Sequence, residues 1–242
     1  MRIGVFSDVH SNYHALVAVL ADMRRRGVDR MVCLGDITMK GPLPKECVDL
    51  VRSLGCPVVR GNTDGAYHPD FYPHKFRPVN RSQEMAQRDF DRHVAALSEE
   101  DRLWLQNLPI AISDTIDGVR MDFFHATPTN NYVLILPWTD NATLATLHMA
   151  EETKLSLFGH CHRAFIRNVE GRTVVNAGSV GLPFDGDPRP SYALVEVEGG
   201  STSVSIVRVP YDPTPAIRAA RDVGMAGWEL FAHTVTTGRF PG

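Results

Sequence analysis

Short apolar runs alternate with helical periodicities through the first half of the chain. Ile3 to Phe6 is a run of strand length. Ala15, Leu16, Val19, Leu20 and Met23 then recur at three- and four-residue spacing until Gly27, which predicts a helix with one buried stripe, closed by a residue at ease in the left-handed conformation. Met31 to Leu34 predicts a second strand. Pro44 opens a second helix with Cys47, Val48, Leu50, Val51 and Leu54 facing inward, Gly55 ends it, and Pro57 to Val59 predicts a third strand. This βαβαβ order implies a largely parallel sheet.

From Thr63 to Asn80 the periodicity dissolves into His, Pro, Tyr and Phe, the mark of an irregular surface loop and a candidate lid. Residues 82–97 predict a helix, and Ser98-Glu99-Glu100-Asp101 predicts a capping box opening another that reaches Leu108, before Pro109. Ile110 to Asp114 and Val119 to Phe124 predict a hairpin turning through Asp117-Gly118. A short helix at Leu144 to Ala150 follows, then strands at Leu155 to Phe158, Ala164 to Val169 and Thr173 to Asn176. An antiparallel pair, Ala193 to Val197 with Val204 to Val209, is joined across Gly199-Gly200, and a helical tail spans Pro215 to Asp222 and Trp228 to His233. With no repeat, low-complexity tract or linker, residues 1–242 are expected to form one domain carrying a lid or cap insert at about 63–108.

Apolar residues make up 43% and charged residues 22% of the 242, ordinary globular usage that argues against a disordered or fibrous chain. A formal charge of -3 supplies no field for a nucleic-acid duplex, and the only basic run, Arg24-Arg25-Arg26, sits where a helix C-terminus favours cations. Four cysteines without CxxC spacing suit reduced thiols. The acidic residue in Ser7-Asp8 interrupts any leader-like apolar stretch, and no span approaches membrane length. A cytoplasmic location with no membrane partner is expected.

Five apolar runs end in a potential metal ligand. The instances are Asp8-Val9-His10, Gly35-Asp36, Gly61-Asn62, His125 and Gly159-His160-Cys161-His162. Each is an unremarkable turn in isolation. In an α/β sheet, however, loops at the carboxyl ends of strands converge on one edge, so Asp8, His10, Asp36, Asn62, His125, His160 and His162 can meet. Two carboxylates, an amide oxygen and four imidazoles suit Mn, Fe, Zn or Ni better than Ca or a thiolate-held zinc. Cys161 is expected to be a small filler.

In their order and spacing these motifs resemble the signature of the calcineurin-like metallophosphoesterases: Asp-x-His, Gly-Asp, Gly-Asn-His-Asp/Glu, His and Gly-His-x-His. The stretches from Gly35 through Gly41-Pro42 and from Asn176 to Gly181 are similar to that family's bacterial and archaeal members, and the likeness extends from Met1 to about Val209. The resemblance implies a four-layer α/β/β/α sandwich of two mixed sheets flanked by helices, with a small helical and loop cap. It also implies two metal ions, manganese first with iron, zinc or nickel as alternatives. Asp8, His10 and His162 would hold one ion, Asn62, His125 and His160 the other, and Asp36 would bridge them. Asp36, Asn62 and His125 would be the catalytic members of this set. A hydroxide bridging cations roughly 3.5–4 Å apart would attack phosphorus in line.

One position departs from that signature. Thr63 stands where many members carry a His that assists the leaving oxygen. A missing acid matters least for aryl or anhydride leaving groups, so phosphodiesters or activated phosphomonoesters are the expected substrates, and phosphoserine a poor one. Asn12, Lys40, Arg60 and Thr63 are expected to contact a small phosphoester or nucleotide-like substrate, with His68 and His74 in the lid as further candidates and Lys40 preferred for the phosphate. The alternatives are a serine/threonine-type protein phosphatase, a dinucleoside polyphosphate hydrolase and, in another class, a non-catalytic scaffold of the same fold; homo-oligomerisation is left open.

Overall fold

The computed structural model describes residues 1–68 and 78–240. Among the described residues, nine strands form two sheets. The first contains β1 (Arg2–Phe6), β2 (Arg30–Cys33), β8 (Ser191–Glu198) and β9 (Ser201–Arg208) in the order β2-β1-β8-β9. The second contains β3 (Ala111–Ile116), β4 (Val119–Phe124), β5 (Leu155–Phe158), β6 (Phe165–Val169) and β7 (Arg172–Asn176) in the order β3-β4-β5-β7-β6. Both sheets are mixed: β1 pairs parallel with β2 and antiparallel with β8, while β4, β5 and β7 run parallel between antiparallel edges β3 and β6. The largely parallel sheet expected from the first half is thus corrected, because β8 returns from late in the chain to lie against β1.

Side-chain alternation in β1 explains the layering. Ile3 and Val5 face Met121, Phe123, Leu155 and Leu157 of the other sheet in an apolar layer between the two sheets. Phe6 faces the opposite way, onto Leu16, Val19 and Leu20 of α1 (Tyr13–Arg25) and Val48 and Val51 of α2 (Pro44–Ser53). Such two-faced burial is what a strand covered on both sides requires. The outer face of the second sheet packs Phe124, Phe158 and Val174 on Leu144 of α5 (Asn141–Ala145). The result is the α/β/β/α sandwich.

Several local expectations shift. Pro57 to Val59 forms only an isolated parallel bridge, Val58 to Cys33, instead of a third strand. The helix expected at Leu144 to Ala150 lies earlier, because Asp140 caps Thr143 N at 2.8 Å and sets the start at Asn141. The cap helices α3 (Arg81–Ala96) and α4 (Glu99–Gln106) form, and Ser98 with Asp101 closes the capping box. The tail folds as α6 (Thr214–Asp222) and α7 (Trp228–Thr237). His74 and most of the irregular stretch lie outside the described residues. Among those described, no helix is long and apolar enough to cross a membrane.

Candidate metal centre

Every ligand expected from the sequence lies just beyond a parallel strand or bridge. Asp8 follows β1, Asp36 follows β2, Asn62 follows the Val58 bridge, His125 follows β4, and His160 and His162 follow β5. The loops are laced together by backbone hydrogen bonds, including Asp8 N to Gly35 O at 3.0 Å, His10 N to Asp36 O at 2.9 Å and Gly159 N to His125 O at 2.9 Å. They turn sharply. Asp8, His10, Asp36, His160 and His162 all have positive φ, between 46° and 67°, and residues held in this sparsely populated region cluster where function over-determines the backbone.

Two clusters result, Asp8 with His10 and His162, all buried, and Asp36 with His125 and the half-buried His160, each with its ligand atoms within 4.8 Å of one another. Asp36 lies between them: Oδ2 is 3.5 Å from His10 Nε2, and Oδ1 is 3.6 Å from His125 Nε2. Asn62 Oδ1 joins the second cluster, 3.1 Å from His125 Nε2. All seven residues therefore converge.

The surrounding groups orient the donors. Nδ1 of His10, His125 and His162 faces the carbonyl oxygens of Thr38, Leu34 and Leu182 at 3.3, 2.8 and 2.5 Å. A carbonyl accepts only from N–H, so each Nδ1 carries a proton, and in the neutral ring each Nε2 turns a lone pair inward. Asp8 Oδ2 accepts from His160 N at 2.9 Å, whereas its buried Oδ1 has no hydrogen-bond donor among the described residues. Burial and the nearby Lys40 charge hold His10 well below the usual imidazole range. Burial opposes ionisation of Asp8, but the electrostatic effect of His162, whose Nε2 lies 3.2 Å from Asp8 Oδ1, outweighs it and holds the carboxyl below its ordinary range.

This arrangement tests the fit of a cation. His10 Nε2 faces His162 Nε2 at 3.1 Å, and His125 Nε2 faces His160 Nδ1 at 3.2 Å. In the buried first pair both facing nitrogens carry lone pairs when the rings are neutral, and lone pairs so close repel unless positive charge sits between them. The mixed nitrogen and oxygen donors fit transition-metal ions at both clusters.

Two glycines make the approach possible. A Cβ on Gly61 would lie 2.1 Å from Asp36 Oδ1, and one on Gly159 would lie 2.5 Å from Asp8 Oδ2, so the glycines of Gly-Asn and Gly-His clear space for the two carboxylates. Asp64, which the ligand pattern in the sequence does not include, supports the site from behind. Its carboxylate accepts from Asp36 N at 2.7 Å, Ile37 N at 3.0 Å and Gly61 N at 2.9 Å, clasping two ligand loops. Burial and the Asp36 carboxylate push the Asp64 carboxyl up, and the N–H donors pull it back. Its place as the acidic fourth residue of Gly61-Asn62-Thr63-Asp64 was the available signal.

The expected substrate contacts divide. Lys40 is exposed and borders a cavity of about 270 Å³ beside Asn62. Asn12 is fully buried, capping α1 through Ala15 N at 3.2 Å and donating to Gly181 O at 3.0 Å, so its amide is engaged in packing the loops. Thr63 Oγ1 donates to Thr38 O at 3.1 Å and its backbone N–H to Asp36 Oδ1 at 2.8 Å. It therefore lines the cavity wall with its hydroxyl already committed. Arg60 borders a second cavity, but its Nη1 is held by Gln106 O at 2.6 Å. His68, capping a short 3-10 turn (Asp64–Tyr67), lies outside the residues lining either cavity.

Residues 1–200 match the family model of the calcineurin-like phosphoesterase superfamily domain. An uncharacterized protein of Methanocaldococcus jannaschii is 31% identical over 229 residues, covering 87% of this chain and 88% of that one. The crystal structure of a metallophosphoesterase from Sphaerobacter thermophilus aligns with a TM-score of 0.78 at 31% identity, covering 98% of this chain and all of that one. A hypothetical protein from Pyrococcus horikoshii OT3 shares the fold, with a TM-score of 0.81 at 20% identity, covering 100% of this chain and 98% of that one.

Proposed function

Since the chain belongs to the calcineurin-like phosphoesterase superfamily, we propose that it is a dinuclear metal-dependent hydrolase of phosphodiesters or activated phosphomonoesters. The observation that carries this reading is the position of Asp36, whose two carboxylate oxygens face one cluster each. Asp8, His10 and His162 would hold one ion and Asn62, His125 and His160 the other, manganese being the first choice. Bound there, the ions supply Lewis-acid neutralisation of phosphoryl charge and a water of lowered pKa.

The chain's own residues do the rest. Asp36, Asn62 and His125 form the catalytic edge of the cleft, and His10, His125 and His162 keep their Nδ1 protons on backbone carbonyls, which fixes each ring with Nε2 turned to the site. Lys40 brings an ammonium to the mouth of the cleft, where phosphate oxygens are met as point charges. Thr63 offers no imidazole and keeps its hydroxyl on Thr38, so departure of a high-pKa alkoxide goes unassisted and aryl leaving groups are favoured. Turnover of bis-p-nitrophenyl phosphate and p-nitrophenyl phosphate with Mn²⁺ or Ni²⁺ tests the proposal. Metal-dependent hydrolysis abolished by Asp36→Asn is expected; hydrolysis indifferent to metal and to that substitution would remove it.

A further inference from the structure

Two cavities of different chemistry meet at Asn62. The cavity of about 270 Å³ is walled by Met39, Ala66, Ala86, Phe90 and Tyr132, with Lys40 at its edge. Its Asp89 is already engaged, accepting from Lys40 N at 2.8 Å and Arg92 Nη2 at 2.7 Å, so the space offered to a ligand is chiefly apolar. Phe90 is held in place by packing on Tyr67, with ring centroids 5.8 Å apart. The other cavity, about 220 Å³, also includes Asn62 and Tyr132, but its remaining wall carries Arg60, Thr129, Asn130 and Asn131.

Asn131 makes the second cavity chemically specific. It is 6% exposed, and its Nδ2 donates to Arg60 O at 2.7 Å, while its buried Oδ1 receives no hydrogen bond from any described residue. A buried acceptor left unpaired costs roughly 1–3 kcal/mol, a cost that a hydroxyl or N–H of a bound molecule would relieve. An apolar space and a space wanting a donor, joined at a metal-ligand candidate, match the two sides of one phosphorus atom.

We propose that the cleft is built for an unsymmetrical phosphodiester, with a flat apolar arm in the Met39–Phe90 cavity and a hydroxyl-bearing arm in the Asn130–Asn131 cavity, where Asn131 Oδ1 reads the hydroxyl. This rests on the phosphoesterase reading above and narrows its substrate class. Ala86 is exposed on α3, so a larger apolar side chain there fills the first cavity without disturbing the core. Asn131 is a specificity-determining residue.

The test compares thymidine 5′-p-nitrophenyl phosphate with methyl p-nitrophenyl phosphate on the metal-loaded protein, and inhibition by phenylphosphonate with inhibition by inorganic phosphate. In the wild type the hydroxylated ester should have a kcat/KM at least ten-fold above the methyl ester, and phenylphosphonate should inhibit at least ten-fold more tightly than phosphate. Asn131→Ala should erase the first preference while changing methyl-ester hydrolysis less than two-fold; equal losses on both esters would mean a structural role and overturn the assignment. Ala86→Leu should erase the second preference while leaving phosphate inhibition intact, a result that stands even if Asn131→Ala fails to fold. Brisk but indiscriminate wild-type hydrolysis would overturn the two-arm inference alone. Wild-type protein inert on every ester would remove the phosphoesterase reading itself, and this inference with it.

Discussion

Asp64→Ala isolates the part of the site that touches neither substrate nor ligand atoms. The carboxylate is fully buried and accepts three backbone N–H groups, those of Asp36, Ile37 and Gly61. Each buried donor left without an acceptor costs roughly 1–3 kcal/mol, and partial relaxation brings the total to about 3–6 kcal/mol. For a protein of this size each kcal/mol shifts Tm by roughly 2–4 °C, so the melting temperature should fall by about 10–20 °C. Asp64→Asn keeps one acceptor oxygen and turns an NH2 group toward an N–H, so it should lose about half as much. Scanning calorimetry with and without Mn²⁺ provides the measurement, and the metal-induced rise in Tm should shrink in both variants because the Asp36 and Gly61 backbones lose their clasp. A drop below about 2 °C in Asp64→Ala, with the Mn²⁺-induced rise unchanged, would refute the assignment of Asp64 as the positioning group.

Further outcomes follow from the same geometry. Gly159→Ala places a Cβ within 2.5 Å of Asp8 Oδ2; titration calorimetry should then show weakened binding at the Asp8 cluster ahead of the Asp36 cluster, and two unchanged isotherms would contradict the crowding. Asp36→Asn should lower metal-dependent hydrolysis at least about a hundred-fold, since altering groups that merely support ligands already costs 10–100-fold, and metal analysis should show fewer ions bound. Thr63→His should raise turnover of an alkyl phosphomonoester while changing bis-p-nitrophenyl phosphate hydrolysis little; no gain on the alkyl ester would defeat the leaving-group account. Burial favours neutral Asp22, yet hydrogen bonds from Arg26 and from Tyr192 at 2.9 Å hold its carboxyl below the ordinary value. A depressed folded pKa contributes stability that is complete above the unfolded value, about 4, and is lost as pH falls through the folded one. Resistance to urea unfolding should therefore fall with acid in the wild type and less steeply in Asp22→Asn.

The sequence by itself determined the elements and the ligand types. Continuous apolar runs made β1 and β2 legible, and period-3.6 burial α1 and α2, within a few residues, because a strand covered on both faces reads as a run and a helix with one buried face writes its period into the chain. It also made the Ser98 cap legible, a contact between residues three apart. The seven candidate ligands were visible as polar residues ending apolar runs. Where prediction slipped, the deciding partner was distant or unusual: Pro57 to Val59 meets a neighbour only at Cys33 and so remains a bridge, and β8 crosses most of the chain to pair antiparallel with β1.

Only the tertiary structure decided which polar residues face the cleft. Asn12 and Asp8 stand four residues apart in one loop, yet Asn12 satisfies its amide on Gly181 and the start of α1 while Asp8 keeps one oxygen without a donor. Thr63 and Asn62 are adjacent, but Thr63 turns its hydroxyl to Thr38 and Asn62 turns its amide oxygen to His125. Asn131 stands only six residues beyond His125, yet it acquires meaning only as a buried acceptor on a cavity shared with Asn62. Local periodicity records which side of an element is buried. Whether a buried polar atom is satisfied depends on partners brought from elsewhere in the chain, and those contacts leave no period behind.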